Sequence, residues 1–360
     1  MAKTLAEYYA IDYPKCTIDN SFLASWEGLA YPCRVIQCIA SPIQLLTGWF
    51  IMKKTPMMMN SVKVPLLIFH IFCSIQDFHV LSLANPYVFL PSYALFGVGL
   101  FSWIGIPVTA QMIAMALSIF CNFLYLNISV ITHLSSFSGT GAAMTFLFES
   151  RASVIPNNKF KLTKNGTRIK YYFGNVIFNS VTSLFFVTRV PENQEREKLE
   201  ILKIIPCPAA EFFSESTFVF LDSYYADIVI VYVVPIFLIL ALSQFLFFAF
   251  CSVYYLFISP TSEVSPQTRR LQRGFFIGIV FQTLIPFAVM ALPYIVLTVA
   301  LKHDKLTQGL TNIYFMVYGM HGLMESIAII MVHRHYRRIL FGFFKLENKV
   351  KPSESDLVRK

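Results

Sequence analysis

The sequence predicts an all-α integral membrane protein: a bundle of seven spanning helices, N-terminus outside and C-terminus cytoplasmic. Three observations predict it. Between Asp77 and Glu149 lie 71 consecutive residues without Asp, Glu, Lys or Arg. The chain is 56% hydrophobic and only 14% charged, with 36 Phe and 18 Tyr. Further apolar runs flank the charge-free region, separated by short basic loops. A bilayer demands about 20 apolar residues of a spanning helix, and a water-soluble domain has no interior large enough to hide so many such runs.

The spans are read at about 29–52, 63–86, from near 97 for the third, 171–190, 226–258, 274–300 and 309–332. The length of the charge-free region also permits a count of eight. Basic residues set the orientation. Twenty Lys and Arg fall on one side, in the loops at 53–63, 151–170 and 269–273 and in the tail after 332, against seven on the other. That bias puts residues 1–28 outside as an N-terminal segment, 29–332 in the seven-span bundle, and 333–360 inside as a tail. The net charge of +9 belongs to these flanks and gives no reason to expect nucleic acid as a partner. Glu7, Asp12, Lys15 and Asp19 interrupt any apolar leader, so the first span is expected to act as its own signal-anchor. After span seven, Tyr336-Arg-Arg-Ile-Leu-Phe-Gly-Phe-Phe-Lys-Leu alternates basic and large apolar residues, as an amphipathic helix lying on membrane lipids requires.

Seven spans with the N-terminus outside is the layout of G-protein-coupled receptors, and segments in collinear order narrow it. Ser41-Pro-Ile, Lys54-Thr-Pro-Met-Met-Met-Asn-Ser-Val-Lys, Pro86-Tyr and Phe89-Leu-Pro come first. The outer stretch Leu199-Glu-Ile-Leu-Lys-Ile-Ile-Pro-Cys-Pro-Ala-Ala-Glu-Phe-Phe is the most diagnostic. Tyr254-Tyr-Leu-Phe, Gln267-Thr-Arg-Arg-Leu-Gln, Phe281-Gln-Thr-Leu-Ile-Pro, His321-Gly and His333-Arg-His-Tyr-Arg follow. Together they resemble the nematode serpentine receptors of class H, from about Ser21 to Arg338. The resemblance implies a chemosensory receptor that detects a small external molecule, such as an odorant or pheromone, and signals to a heterotrimeric G protein. It implies the plasma membrane of a sensory-neuron cilium, no enzymatic activity and no cofactor. The chain departs from the family pattern at His335, where Pro is usual, and at Glu325, where a small hydroxyl residue is usual.

The third span is too long. From Gly99 to Glu149 a single helix would run roughly 75 Å, more than twice the hydrocarbon thickness. The family places its Glu-x-Arg triplet with about 16 fewer residues before it, and the excess falls at 123–138. That stretch is either a genuine insertion or an intron translated in error.

Candidate functional residues follow from position. Glu149 and Arg151 resemble the acidic-Arg pair at the inner end of span three in many receptors, a charge pair that holds an inactive state; Arg151 otherwise anchors at headgroups. Pro286, with Pro235 and Pro293, removes a backbone donor and can kink a helix, either as a moving lever or as fixed geometry. His70, Asp77, His321 and Glu325 are ionisable groups inside spans, where they face the bundle interior at high cost. Asp77 and Glu325 are expected to form an internal pair bridged by water or an ion, with one protonated or a cation shared, unless His70 partners either. Trp103, Gln111, Tyr225, Tyr294 and Tyr314 are candidates for an outward-opening pocket. Cys16 and Cys207 both fall outside and can bridge. No metal site is read, because no His or Cys pair has ligand spacing within one helix. The rival functions are a multi-span transporter or channel, and a non-signalling product with a disrupted third span.

Overall fold

The computed structural model describes residues 4–17, 19–92, 94–108, 110–111, 139–155, 158–162, 164, 166–171, 173–175, 190–221, 225, 228, 232, 234–259 and 265–350. The stretch 123–138, most of the fourth span, Tyr224 and Asp227 at the outer end of the fifth, and the Asn residues of two Asn-x-Ser/Thr glycosylation sequons, Asn127 and Asn165, lie outside them.

The first span is α2 (Trp26–Lys54), preceded by the short α1 (Leu5–Ile11). Ser25 caps α2 by accepting from Gly28 N at 3.0 Å, and Glu27 and Lys53/Lys54 complement the helix dipole at its two ends. The second span, α3 (Asn60–Phe78), continues through a π-helical turn, His79–Leu83. The fifth is represented by α7 (Val234–Val253), which also ends in a π-helical turn, Tyr254–Ile258. Arg269 and Arg273 reach across from the sixth span to Leu256 O at 3.1 and 2.6 Å, and Arg269 also to Ser259 O at 2.7 Å, satisfying carbonyls that the ending helix leaves free. That sixth span is α8 (Pro266–Lys302), 37 residues capped by Ser265, with Pro286 and Pro293 inside it. Between these lie α4 (Leu100–Trp103), α5 (Gly139–Val154) and α6 (Gln194–Ile204). Four of the described helical segments are long and apolar enough to cross a membrane.

Three features correct the all-α, seven-continuous-helix reading. Residues 86–97, the connection between spans two and three, form an antiparallel pair, β1 (Pro86–Phe89) and β2 (Ala94–Gly97), with Tyr87 opposite Phe96. A third strand, β3 (Phe218–Val219), pairs on β2. The third span accordingly starts past Gly105, whose φ is 76°, and Pro107, where Gln111 N first bonds Pro107 O at 3.0 Å. From Val108 to Glu149 one helix would still need about 60 Å. The seventh span is broken: α9 (Gln308–Tyr318) stops at Gly319-Met320, and α10 (His321–Val332) begins anew. The last helix is α11 (Arg334–Val350).

Two apolar cores lie on either side of this break. One holds Phe50, Leu66, Phe69, Phe148, Tyr255, Phe276, Ile330 and Tyr336, at the end of the bundle from which the tail departs. The other holds Leu29, Leu81, Tyr87, Phe96, Ile201, Phe212 and Met316, beneath the small sheet. The sheet, α1 and α6 form a cap on that end. Cys16 and Cys207 are joined in a disulfide, their Cα atoms 5.5 Å apart. Beside it, the Tyr8 and Tyr13 hydroxyls donate to Pro206 O (2.8 Å) and Pro208 O (3.1 Å). Gln194 accepts from Val219 N at 2.7 Å and donates to Val219 O at 3.1 Å, closing the free edge of β3. Lys198, whose ammonium burial lowers in pKa, donates to Ser214 O at 2.9 Å.

Candidate functional site

The densest polar site lies between the two apolar cores, where α2, α3 and α10 meet. Breaking the seventh span at Gly319-Met320 frees the first N–H groups of α10, and these would be unpartnered inside a bilayer. The Asp77 side chain takes them: Oδ1 accepts from Gly322 N at 3.0 Å and Oδ2 from Leu323 N at 2.8 Å. Gln44 of α2 adds a third donor, its Nε2 2.9 Å from Oδ2. His321 Nδ1 lies 2.9 Å from Oδ1 and 2.9 Å from Tyr318 O. A carbonyl only accepts, so that nitrogen carries a hydrogen. Asp77 thus accepts at both side-chain oxygens at a helix N-terminus, the end that favours negative charge. The approach needs glycine at 322: a Cβ there would lie 2.6 Å from Cys73 O and 2.7 Å from Asp77 Oδ2.

The second acid has its own imidazole. His70 Nδ1 is 2.8 Å from Glu325 Oε2, and His70 Nε2 is 2.9 Å from Gln44 O. The Gln44 carbonyl requires a hydrogen on Nε2, so one further proton sits between Nδ1 and Oε2 and belongs to the pair. Both side chains are buried. The expected Asp77–Glu325 pair is thus replaced by two acid–imidazole pairs, Asp77–His321 and Glu325–His70. This removes the like-charge conflict without a shared ion. Glu325 Oε1 and His321 Nε2, one turn apart on α10, have no hydrogen-bond partner among the described residues. Gln44 escaped the sequence reading, although the two amides of the apolar first span, Gln37 and Gln44, were a usable signal.

At the tail end, Glu149 and Arg151 of α5 do not pair with each other. Fully buried Glu149 is paired with Arg168, whose Nε and Nη2 lie 2.9 and 2.5 Å from Oε2. Ser153 Oγ donates to Glu149 Oε1 at 2.6 Å. Arg151 turns to α8 instead. Its Nη2 donates to Gln272 O at 2.9 Å, and its guanidinium lies 5.1 Å from the centroid of the Phe275 ring. On α8, Pro286 is buried and near it Gln282 Oε1 meets His333 Nε2 at 2.8 Å. Tyr336, fully buried at the start of α11, shares a hydrogen bond of 2.8 Å with Thr55 Oγ1.

The five pocket candidates are not alike. Gln111 is buried and donates to Ser102 Oγ (3.0 Å) and Ile106 O (2.8 Å), while its Oε1 has no hydrogen-bond partner among the described residues. Tyr225, Tyr294 and Tyr314 are half-buried, and Tyr314 packs on Phe315 and Tyr318 of its own helix. Trp103 is 79% exposed on α4, beside Arg34, and is no pocket residue.

The profile of the family described as Serpentine type 7TM GPCR chemoreceptor Srh matches residues 24–126 and 123–346. The chain belongs to this chemoreceptor family. Serpentine receptor class H-72 of Caenorhabditis elegans is 35% identical over 358 residues, which cover 99% of this chain and 95% of that protein. The family is one of membrane receptors and not of enzymes, and chemosensory reception is this receptor's role. The two matched segments meet at 123–126, the start of the stretch that makes the third span too long.

Proposed function

We propose that this receptor detects a small external molecule at the capped, disulfide-bearing end of the bundle and signals to a heterotrimeric G protein at the tail end. The reading places residues 1–28 outside, 29–332 in the membrane and 333–360 in the cytoplasm, with α11 lying on the inner leaflet. The positive-inside bias supports it, as does a disulfide on the side assigned to an oxidising compartment. Family membership supports residence in the ciliary membrane of a sensory neuron. Gln111, Tyr225, Tyr294 and Tyr314 are the proposed ligand contacts, with the buried Gln111 Oε1, which meets no donor among the described residues, as the group that accepts from the ligand.

The observation that carries the mechanism is the contact of Arg151 with Gln272 O and the Phe275 ring, which ties α5 to α8. In this reading it is the closed state. Ligand binding favours a second arrangement in which α8, kinked about Pro286, releases Arg151 and opens a surface for the G protein. Asp77 and Glu325, with His321 and His70, form the polar core about which the seventh span moves.

Guanine-nucleotide exchange on a heterotrimeric G protein, driven by membranes carrying the receptor, tests the proposal. Phe275→Ala removes the ring beneath Arg151 and is expected to raise basal exchange. No exchange with wild type or variant, alongside solute-dependent current in the same membranes, would favour the transporter reading.

A further inference from the structure

Arg34 is a cation with no counter-charge among the described residues, in a part of the chain that faces lipid. It lies eight residues into α2, about 12 Å along the helix axis. A helix of 29 residues spans about 43 Å and overhangs a 30 Å hydrocarbon layer by about 7 Å at each end, which puts the Arg34 backbone about 5 Å below the interface. On the same side of α2, Tyr31, Val35 and Ile39 are 51, 60 and 55% exposed, the exposure expected of a lipid-facing stripe. Among the described residues Arg34 has no hydrogen bond and no ion pair. It has two rings instead. Its guanidinium lies 5.6 Å from the Tyr31 ring centroid and 5.7 Å from that of Trp103.

Two rings fix the plane of a guanidinium but leave its N–H groups unsatisfied. A cation at this depth snorkels toward the interface, and the anion available there is phosphate, whose oxygens fit the guanidinium fork bidentately. Trp103, with Leu100 and Ile104 also exposed on and beside α4, supplies the amphipathic aromatic surface found at that level of a membrane. The exposed face of Trp103 can receive the headgroup ammonium. We propose that Arg34, held between Tyr31 and Trp103, binds the headgroup phosphate of a phospholipid in the leaflet at the disulfide end. The role needs only the multi-span architecture and is independent of ligand identity and of G-protein coupling.

Native mass spectrometry of the purified full-length receptor, titrated with dioleoylphosphatidylcholine or dioleoylglycerol, tests it. Wild type is expected to retain the phosphatidylcholine and not the diacylglycerol, and Arg34→Gln to weaken retention about tenfold, the loss of a charge-assisted bidentate contact. Equal retention by Arg34→Gln and wild type overturns the proposal. So does displacement of the lipid by millimolar inorganic phosphate, which would make this a soluble-anion site. Should Arg34→Gln fail to fold, a Trp26→Phe/Trp49→Phe receptor leaves Trp103 as the sole tryptophan. Quenching of its fluorescence by headgroup-labelled and not by tail-end-labelled phosphatidylcholine supports the site. Quenching by neither, or by the tail label alone, overturns it.

Discussion

Replacing Asp77 by Ala tests whether this carboxylate holds the broken seventh span together. The substitution strands the N–H groups of Gly322 and Leu323 and the Gln44 amide, three donors now 2.8–3.0 Å from an acceptor. Each buried donor left unpaired costs about 1–3 kcal/mol. Partial relaxation and entry of water reduce the sum, so a net loss of about 4 kcal/mol is the working figure, within the range for removing one partner of a buried charged pair. At roughly 2–4 °C per kcal/mol in a chain of this size, the midpoint falls by about 10 °C. Asp77→Asn keeps the shape and one acceptor but turns an NH2 toward other donors, and should lose about half as much. The assay is the monodisperse fraction on size exclusion after heating detergent-solubilised receptor. If Asp77→Ala melts within about 2 °C of wild type, the capping argument is refuted.

Gly322→Ala should destabilise by about 1–3 kcal/mol in the same assay, because its methyl group would enter the space of Cys73 O and Asp77 Oδ2; an unchanged midpoint would mean that α3 and α10 are not in close contact. His70→Ala should cost about 3 kcal/mol by leaving Glu325 unpaired. Glu325→Gln should cost less than about 1 kcal/mol, since its amide can donate to a neutral His70. The reverse order would show that the pair is not organised around one shared proton. Cys16→Ser should lower stability by about 2–5 kcal/mol and Cys207→Ser equally, with no further loss in the double variant. Additive losses would mean that the two sulfurs act separately.

The spanning helices were legible because a bilayer imposes length and apolarity on each one, a signal that needs no knowledge of neighbours. The intramembrane ionisable residues were legible for the same reason. Their partners were not. Asp77 finds Gln44 33 residues before it and Gly322 245 residues after it, and such pairings depend on helix register across the bundle. Glu149 shows the same limit at shorter range: Arg151 was the obvious partner by proximity, yet Arg168, 19 residues on, pairs with it. The sheet left no alternation to read, because Tyr87, Val88, Phe89, Ala94, Leu95 and Phe96 are all buried. The break in span seven carried a weak signal, Gly319 within an apolar run. The carboxylate that makes it tolerable lies on another helix.

The most direct test of the account is epitope accessibility in intact cells, with one tag before residue 4 and another after Lys360, on the receptor as written and on a version lacking 123–138. The account predicts that the N-terminal tag labels without permeabilisation and the C-terminal tag only after it, in at least the shortened receptor. Removal of those 16 residues would leave a third span of about 25, long enough to cross once. Labelling of the C-terminal tag in intact cells, or of both tags, would contradict the seven-span, N-terminus-out arrangement on which the receptor mechanism rests.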